Sequence, residues 1–215
     1  MNLKSIAVRV WLVTILAAGA VWAGALPSLN SADLAQGAYS SMHMLLEKTF
    51  LKIDVLTVDV RFGKADQARF RQLASGKKYS PELGRELAKV AIASDHAVVQ
   101  LHFVRDVSLD QWMDAVRDNL AQAKAAGLIS AALQKRVGGG LPKTFALLQE
   151  RGYEEGDRLL YGIRGATLDT AVISAKGKVL MQKHDDDREL SRVVLASYFA
   201  PGSDFRELLL RSMVK

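Results

Sequence analysis

Cysteine is absent from the 215 residues. That excludes a disulfide framework, a thiol nucleophile and a thiolate metal site, so stability must come from an ordinary apolar core. Blocks of like charge are also missing. No run of Lys or Arg is longer than two, as at Lys77-Lys78, and acidic residues are interspersed throughout. No basic stripe marks a nucleic-acid partner. Internal repeats and low-complexity tracts are absent as well.

Familiar signatures fail on inspection. "VGGGLPKT" ends in Lys-Thr like a phosphate loop, but Val137 and Pro142 occupy both required glycine slots and a helix precedes it. No nucleotide or other cofactor is implied. "HDDDRE" at 184–189 lacks the spaced oxygens of a calcium loop and reads as a solvated turn from strand to helix, its carboxylates suited to a helix N-terminus. His96 and His102 share a strand face but lie about 20 Å apart, too far for one metal ion. They read as solvated, and no metal site is expected.

The chain does have a distinct amino-terminal segment. In residues 1–25, Lys4 and Arg9 lead, an apolar run from Val10 follows, and the small residues Ala23 and Ala25 close it. This is the pattern of a cleavable signal peptide, which places the protein in the periplasm. The alternative is an inner-membrane anchor, although a run of about 16 residues is short for a span of about 20. Without Lys4 and Arg9, 27 basic and 23 acidic residues remain, a net charge of +4. Contact with a membrane is then limited to the leader and a weak attraction to anionic lipid surfaces. Residues 26–215 are of a length that buries one core, so a single domain is expected.

"FLKIDVLTVDVRF" (50–62) alternates like a strand but changes phase: Leu51, Ile53 and Val55 are apolar at odd positions, Leu56, Val58, Val60 and Phe62 at even ones. One extra residue near Val55 and Leu56, a β-bulge, would return all of them to one face. Lys52, Asp54, Thr57, Asp59 and Arg61 would then share the other face, which looks either at water or into a cleft.

Two helices are predicted next, "KADQARFRQLASG" and "SPELGRELAKVAIAS", the second with Ser80 as N-cap and Pro81 in its first turn. "HAVVQLHFVRDV" is a half-buried strand. "SLDQWMDAVRDNLAQAKAAG" is a helix with a Ser108/Gln111 capping box, a stop at Gly127 and a stripe of Leu109, Trp112, Met113, Val116, Leu120 and Ala123. "LISAALQKRV" and "LPKTFALLQERG" read as two further helices parted by Gly138-Gly139-Gly140. Residues 157–184 supply three strands, the last two joined at Lys176-Gly177. Two amphipathic helices close the chain, marked by Leu190, Val193, Val194 and Tyr198 and then by Phe205, Leu208, Leu209 and Met213. This order specifies an α+β fold, an antiparallel sheet with helices packed on one face. Asn119 falls on the apolar stripe of its helix, where its amide needs partners. It is either a structural hydrogen bond or a ligand-cleft amide.

"LLEKTFLKIDVLTVDVRF", "HFVRDVSLDQWMDAVRDNL", "GDRLLYGIRGATLDTAVISAKGKVL" and "LASYFAPGSDFRELLLRSM" resemble, in order and character, the bacterial chalcone isomerase-like proteins. The resemblance spans Tyr39 to Met213. It implies an open-faced β-sandwich, with a ligand cleft between a large antiparallel sheet and its helices. Catalytic isomerases of this fold carry an arginine before the strand resembling 50–62. Met42 stands there in this chain, and no arginine occurs from Leu26 to Val60. The strand threonine is matched by Asp54, the helix tyrosine by Trp112, the asparagine by Asn119, and the late Ser/Thr by Ser203, which also suits the N-cap of the last helix.

Loss of the arginine, the threonine and the tyrosine argues against chalcone isomerisation, because a cation at developing oxyanion charge is worth about 3 kcal/mol or more. It also weakens the carboxylate grip used by fatty-acid-binding relatives, for which Lys48 or Lys52 could substitute as a point charge. The resemblance therefore implies a non-catalytic binder of a fatty acid or other apolar small molecule, with Asp54, Trp112, Asn119 and Ser203 as ligand-binding residues. Two alternatives stand beside it. One is an isomerase or intramolecular lyase with Asp54 as general acid/base. The other is a structural or partner-binding envelope protein whose cleft is filled by its own side chains.

Overall fold

The computed structural model describes Leu29 and residues 31–48 and 53–214. Residues 1–25, read above as a signal peptide, and Leu51 and Lys52 lie outside the described residues, and of Ser31, Glu47, Lys48, Ile53 and Asp54 only the backbone is described. Six strands form one sheet in the order of the chain, each antiparallel to the next. They are β1 (Ser41–Lys48), β2 (Ile53–Phe62), β3 (His96–Phe103), β4 (Arg158–Arg164), β5 (Thr167–Ile173) and β6 (Val179–Asp186). The helices interrupt this meander in pairs: α1 (Lys64–Ala74) and α2 (Pro81–Ile92) after β2, α3 (Leu109–Ala125) and α4 (Ala131–Thr144) after β3, α5 (Arg188–Phe199) and α6 (Arg206–Ser212) after β6.

The phase change in β2 is a bulge. Leu46 pairs with Leu56 and Glu47 with Asp54, so Val55 is the extra residue. Beyond it Leu56, Val58, Val60 and Phe62 are all buried on the helix-covered face, as period-two alternation requires. β1 was not among the strands read from residue pattern, although Met42, Met44 and Leu46 alternate inward on the same face. The Ser80 cap and the Ser108/Gln111 capping box form as expected, and Glu207 and Arg211 pair one turn apart on the last helix.

Two helical expectations are corrected. The glycine triplet does not divide α4, which runs unbroken through Gly138, Gly139, Gly140 and Pro142. Leu133, Val137 and Leu141 recur every fourth residue and pack on the core, so burial of one stripe outweighs the poor propensity of the glycines. Pro142 lies in the last turn and withholds one donor from the carbonyl four residues back, a loss limited to the end of the helix. A Cβ at Gly139 would meet nothing within 4 Å. Gly139→Ala is therefore expected to stabilise the protein by about 0.5–1 kcal/mol in urea unfolding. The second correction concerns α6, whose buried residues are Leu209 and Leu210 while Leu208 is exposed. Its N-cap is Phe205, and Ser203 instead closes the preceding turn, accepting from the Phe205 and Arg206 backbone N–H groups.

The face of β2 opposite the helices carries Thr57, Asp59 and Arg61, all half-buried, with Asp59 bonded to exposed His43 at 2.7 Å. That answers the question raised by the polar residues of β2 for the described positions: they face away from the helix-covered side. On the same outer face His184 Nδ1 bonds the fully buried carboxylate of Asp169, which raises the imidazole pKa. The bond therefore stabilises the fold fully below the ordinary histidine value of about 6.5, and its contribution fades as pH rises through the elevated native value. Asp169→Asn is expected to bring the His184 titration, followed by NMR, back toward the ordinary value. His96 departs from the solvated expectation. Its Nε2 is buried without a hydrogen-bond partner among the described residues, and burial lowers its pKa.

Candidate functional site

A cavity of about 850 Å³ lies between the inner face of the sheet and helices α3, α4 and α5. Leu101 and Phe103 on β3 and Leu168 on β5 form its floor, placed there by the alternation that buries them. Trp112, Val116 and Leu120 on α3, and Val193 and Val194 on α5, form the walls. The bulge contributes directly, since Leu56 and the extra residue Val55 both line the cavity.

Of the residues singled out from sequence, Trp112 and Asn119 line this cavity and are brought together by one helix face. Trp112 is buried, edge-on to Phe145 with centroids 4.5 Å apart, and tilted against Tyr153 at 5.5 Å. Asn119 serves both alternatives left open for it. Its Nδ2 donates to the Ala115 carbonyl one turn back at 3.0 Å, while the residue borders the cavity. Ser203 is not part of the lining, and the neighbouring Phe205 takes that place. Asp54 sits at the start of β2 opposite Glu47, and its side chain lies outside what is described. Met42 is fully buried on β1 and does not line the cavity.

Residue pattern had located neither the charged rim nor the interior hydroxyls. Arg105 from the loop after β3, Arg136 on α4 and Lys183 on β6 all border the cavity with exposed side chains. Arg136 is engaged by Asp187 at 2.9 Å and Glu189 at 3.0 Å, and Lys183 by Asp185 at 2.6 Å. Arg105 has no ion pair among the described residues. Guanidinium groups thus reach the cavity from segments far from β1 and β2, but at its edge. Among the described lining residues no cation is buried.

The less exposed polar groups of the lining are neutral (Asn119, Thr144, Tyr161, Thr170, Ser197 and Tyr198), apart from Asp185, whose carboxylate is paired with Lys183. Burial raises the Tyr161 and Tyr198 hydroxyls above the ordinary phenol value, so both stay protonated donors at neutral pH. A donor set of this kind suits an uncharged polar group on an otherwise apolar molecule. It does not supply the preorganised cation that stabilises developing oxyanion charge.

Neither a family model nor a curated protein matches the sequence. Among solved structures, a fatty-acid binding protein of Arabidopsis thaliana is similar, with a TM-score of 0.53 and 13% identity over 85% of this chain and 89% of that one. The fold is therefore chalcone isomerase-like: an open antiparallel sheet of six strands with helices packed on it.

Proposed function

We propose that the protein is a periplasmic, non-catalytic member of the bacterial chalcone isomerase-like proteins that holds a lipid-like or other apolar small ligand between sheet and helices. The observation that carries this reading is the cavity itself, about 850 Å³ with mostly apolar walls, which is in the range of sites that enclose small molecules. A core without ligand would close such a space, because unfilled volume costs stability. The similar plant structure is of a protein named for fatty-acid binding, which agrees with an apolar chain as occupant. Exposed rim cations and neutral interior donors favour binding over oxyanion chemistry. The compartment rests on residues 1–25, whose pattern is that of an exported chain.

The test is native mass spectrometry with lipid extraction on the purified protein, beside Gly140→Phe. Gly140 lines the cavity, and a Cβ there meets nothing within 4 Å, so the ring has room to enter and occlude it. The wild type is expected to retain an apolar adduct and the variant to lose it. A wild type that is empty and also ignores added fatty acids would contradict the proposal.

A further inference from the structure

Ser197 Oγ donates to the Val194 carbonyl at 2.8 Å, but two phenols that line the cavity have no such acceptor. Tyr161 on β4 and Tyr198 on α5 both line it, and neither makes a hydrogen bond to any described residue. Tyr153 does not line the cavity but is fully buried behind its wall, stacked on Phe103 with centroids 4.1 Å apart, and its Oη has no partner among the described residues. Burial holds the Tyr153 hydroxyl well above the ordinary phenol value. Thr170, directly across from Tyr161 in the β4–β5 register, adds a further hydroxyl to the same wall. A buried donor without an acceptor is rare and costly, and two further phenols that open on the cavity without a protein partner leave a place for an acceptor from outside the chain.

The chemistry of that acceptor follows from what surrounds it. The lining cations are exposed, and two of the three are already paired. An ionised carboxylate beside the phenols would lose its hydration without gaining a counter-charge. A carbonyl oxygen carries two lone pairs and no charge, so it can accept from two phenols at once. Resting on the reading of the cavity as a ligand site, we propose that Tyr161 and Tyr198, with Tyr153 behind them, form a subsite for an uncharged hydrogen-bond-accepting head. This is the carbonyl of an ester, ketone or protonated acid, whose hydrocarbon chain lies along the apolar walls.

Three probes of equal chain length distinguish this subsite from the cavity reading beneath it: an alkane, a fatty-acid methyl ester and a fatty carboxylate, each displacing Nile red from the full chain at neutral pH. The ester is expected to bind about tenfold more tightly than the alkane, as one or two well-made hydrogen bonds would give. Tyr161→Phe and Tyr198→Phe should each reduce ester affinity several-fold while leaving alkane affinity unchanged, which also shows that the variants are folded. The carboxylate should bind more weakly than the ester and tighten on acidification. Equal binding of ester and alkane overturns the subsite and leaves the cavity reading standing. A carboxylate preferred at neutral pH, with the preference lost in Arg105→Ala, overturns it by placing the head at the rim. Failure of all three probes sinks both readings.

Discussion

Trp112→Ala is expected to destabilise the protein by about 4 kcal/mol. Trp112 is 5% exposed and joins three parts of the molecule: α3 itself, Phe145 after α4, and Tyr153 before β4. Truncating a buried tryptophan removes its transfer free energy and leaves a void, which together cost about 3–5 kcal/mol. The existing cavity opens beside the ring, so the surroundings have little to collapse onto. For a chain of this size the melting temperature should fall by roughly 10 °C. Trp112→Phe, which keeps an aromatic plate against Phe145, should recover more than half of the loss. A fall under about 1 kcal/mol in Trp112→Ala would mean that the indole is not a structural wall of the cavity.

Asp157→Ala is expected to cost about 3 kcal/mol. The Asp157 carboxylate is 1% exposed and binds three segments: Arg151 Nη1 at 2.8 Å, the Glu154 N–H at 3.0 Å and the Ala175 N–H at 3.2 Å. Its own backbone carbonyl accepts from Phe103 at the end of β3. Removing the carboxylate leaves two backbone donors unpaired and Arg151 with the Gly152 carbonyl and Glu154, whose exposed pairing contributes little. Breaking a buried pair from one side costs about 3–5 kcal/mol, and the partial exposure of Arg151 puts this case at the lower end. Urea unfolding should show a lower midpoint with an unchanged slope. Asp157→Asn, which retains an acceptor, should lose less.

Most of the fold was legible because it is written in local periodicity. The β2 bulge could be read from the shift of apolar residues at Val55 and Leu56, since a side chain in a strand has only two faces to choose from. The α3 stripe and its capping box are equally local. The glycine triplet misled because propensity is a weak prior, and a stripe continued on both sides of it carried the decision. Leu208 and Leu210 exchanged roles because a short helix gives too few turns to define one face.

The candidate site was only half legible. Trp112 and Asn119 could be placed on one stripe by counting along a helix. Arg105, Arg136 and Lys183 reach the same cavity from three separate segments, and no spacing within one element brings them together. Tyr161 left a signal that alternation could have caught, since it lies between the inward-facing Leu159 and Ile163 on β4. Its meeting with Tyr198 and Tyr153 is purely tertiary. The same is true of Asp157, whose partners are a loop and a hairpin turn.

The central claim is that the space between sheet and helices accepts an apolar chain, and a chain-length series measured by titration calorimetry tests it most directly. Affinity is predicted to rise about fourfold per added methylene, as burial of about 0.8 kcal/mol per CH₂ requires. It should level off when the cavity is full, at shorter chains in Gly140→Phe, and be accompanied by a negative heat-capacity change. Binding that is absent, or that is indifferent to chain length and to Gly140→Phe, would contradict the account.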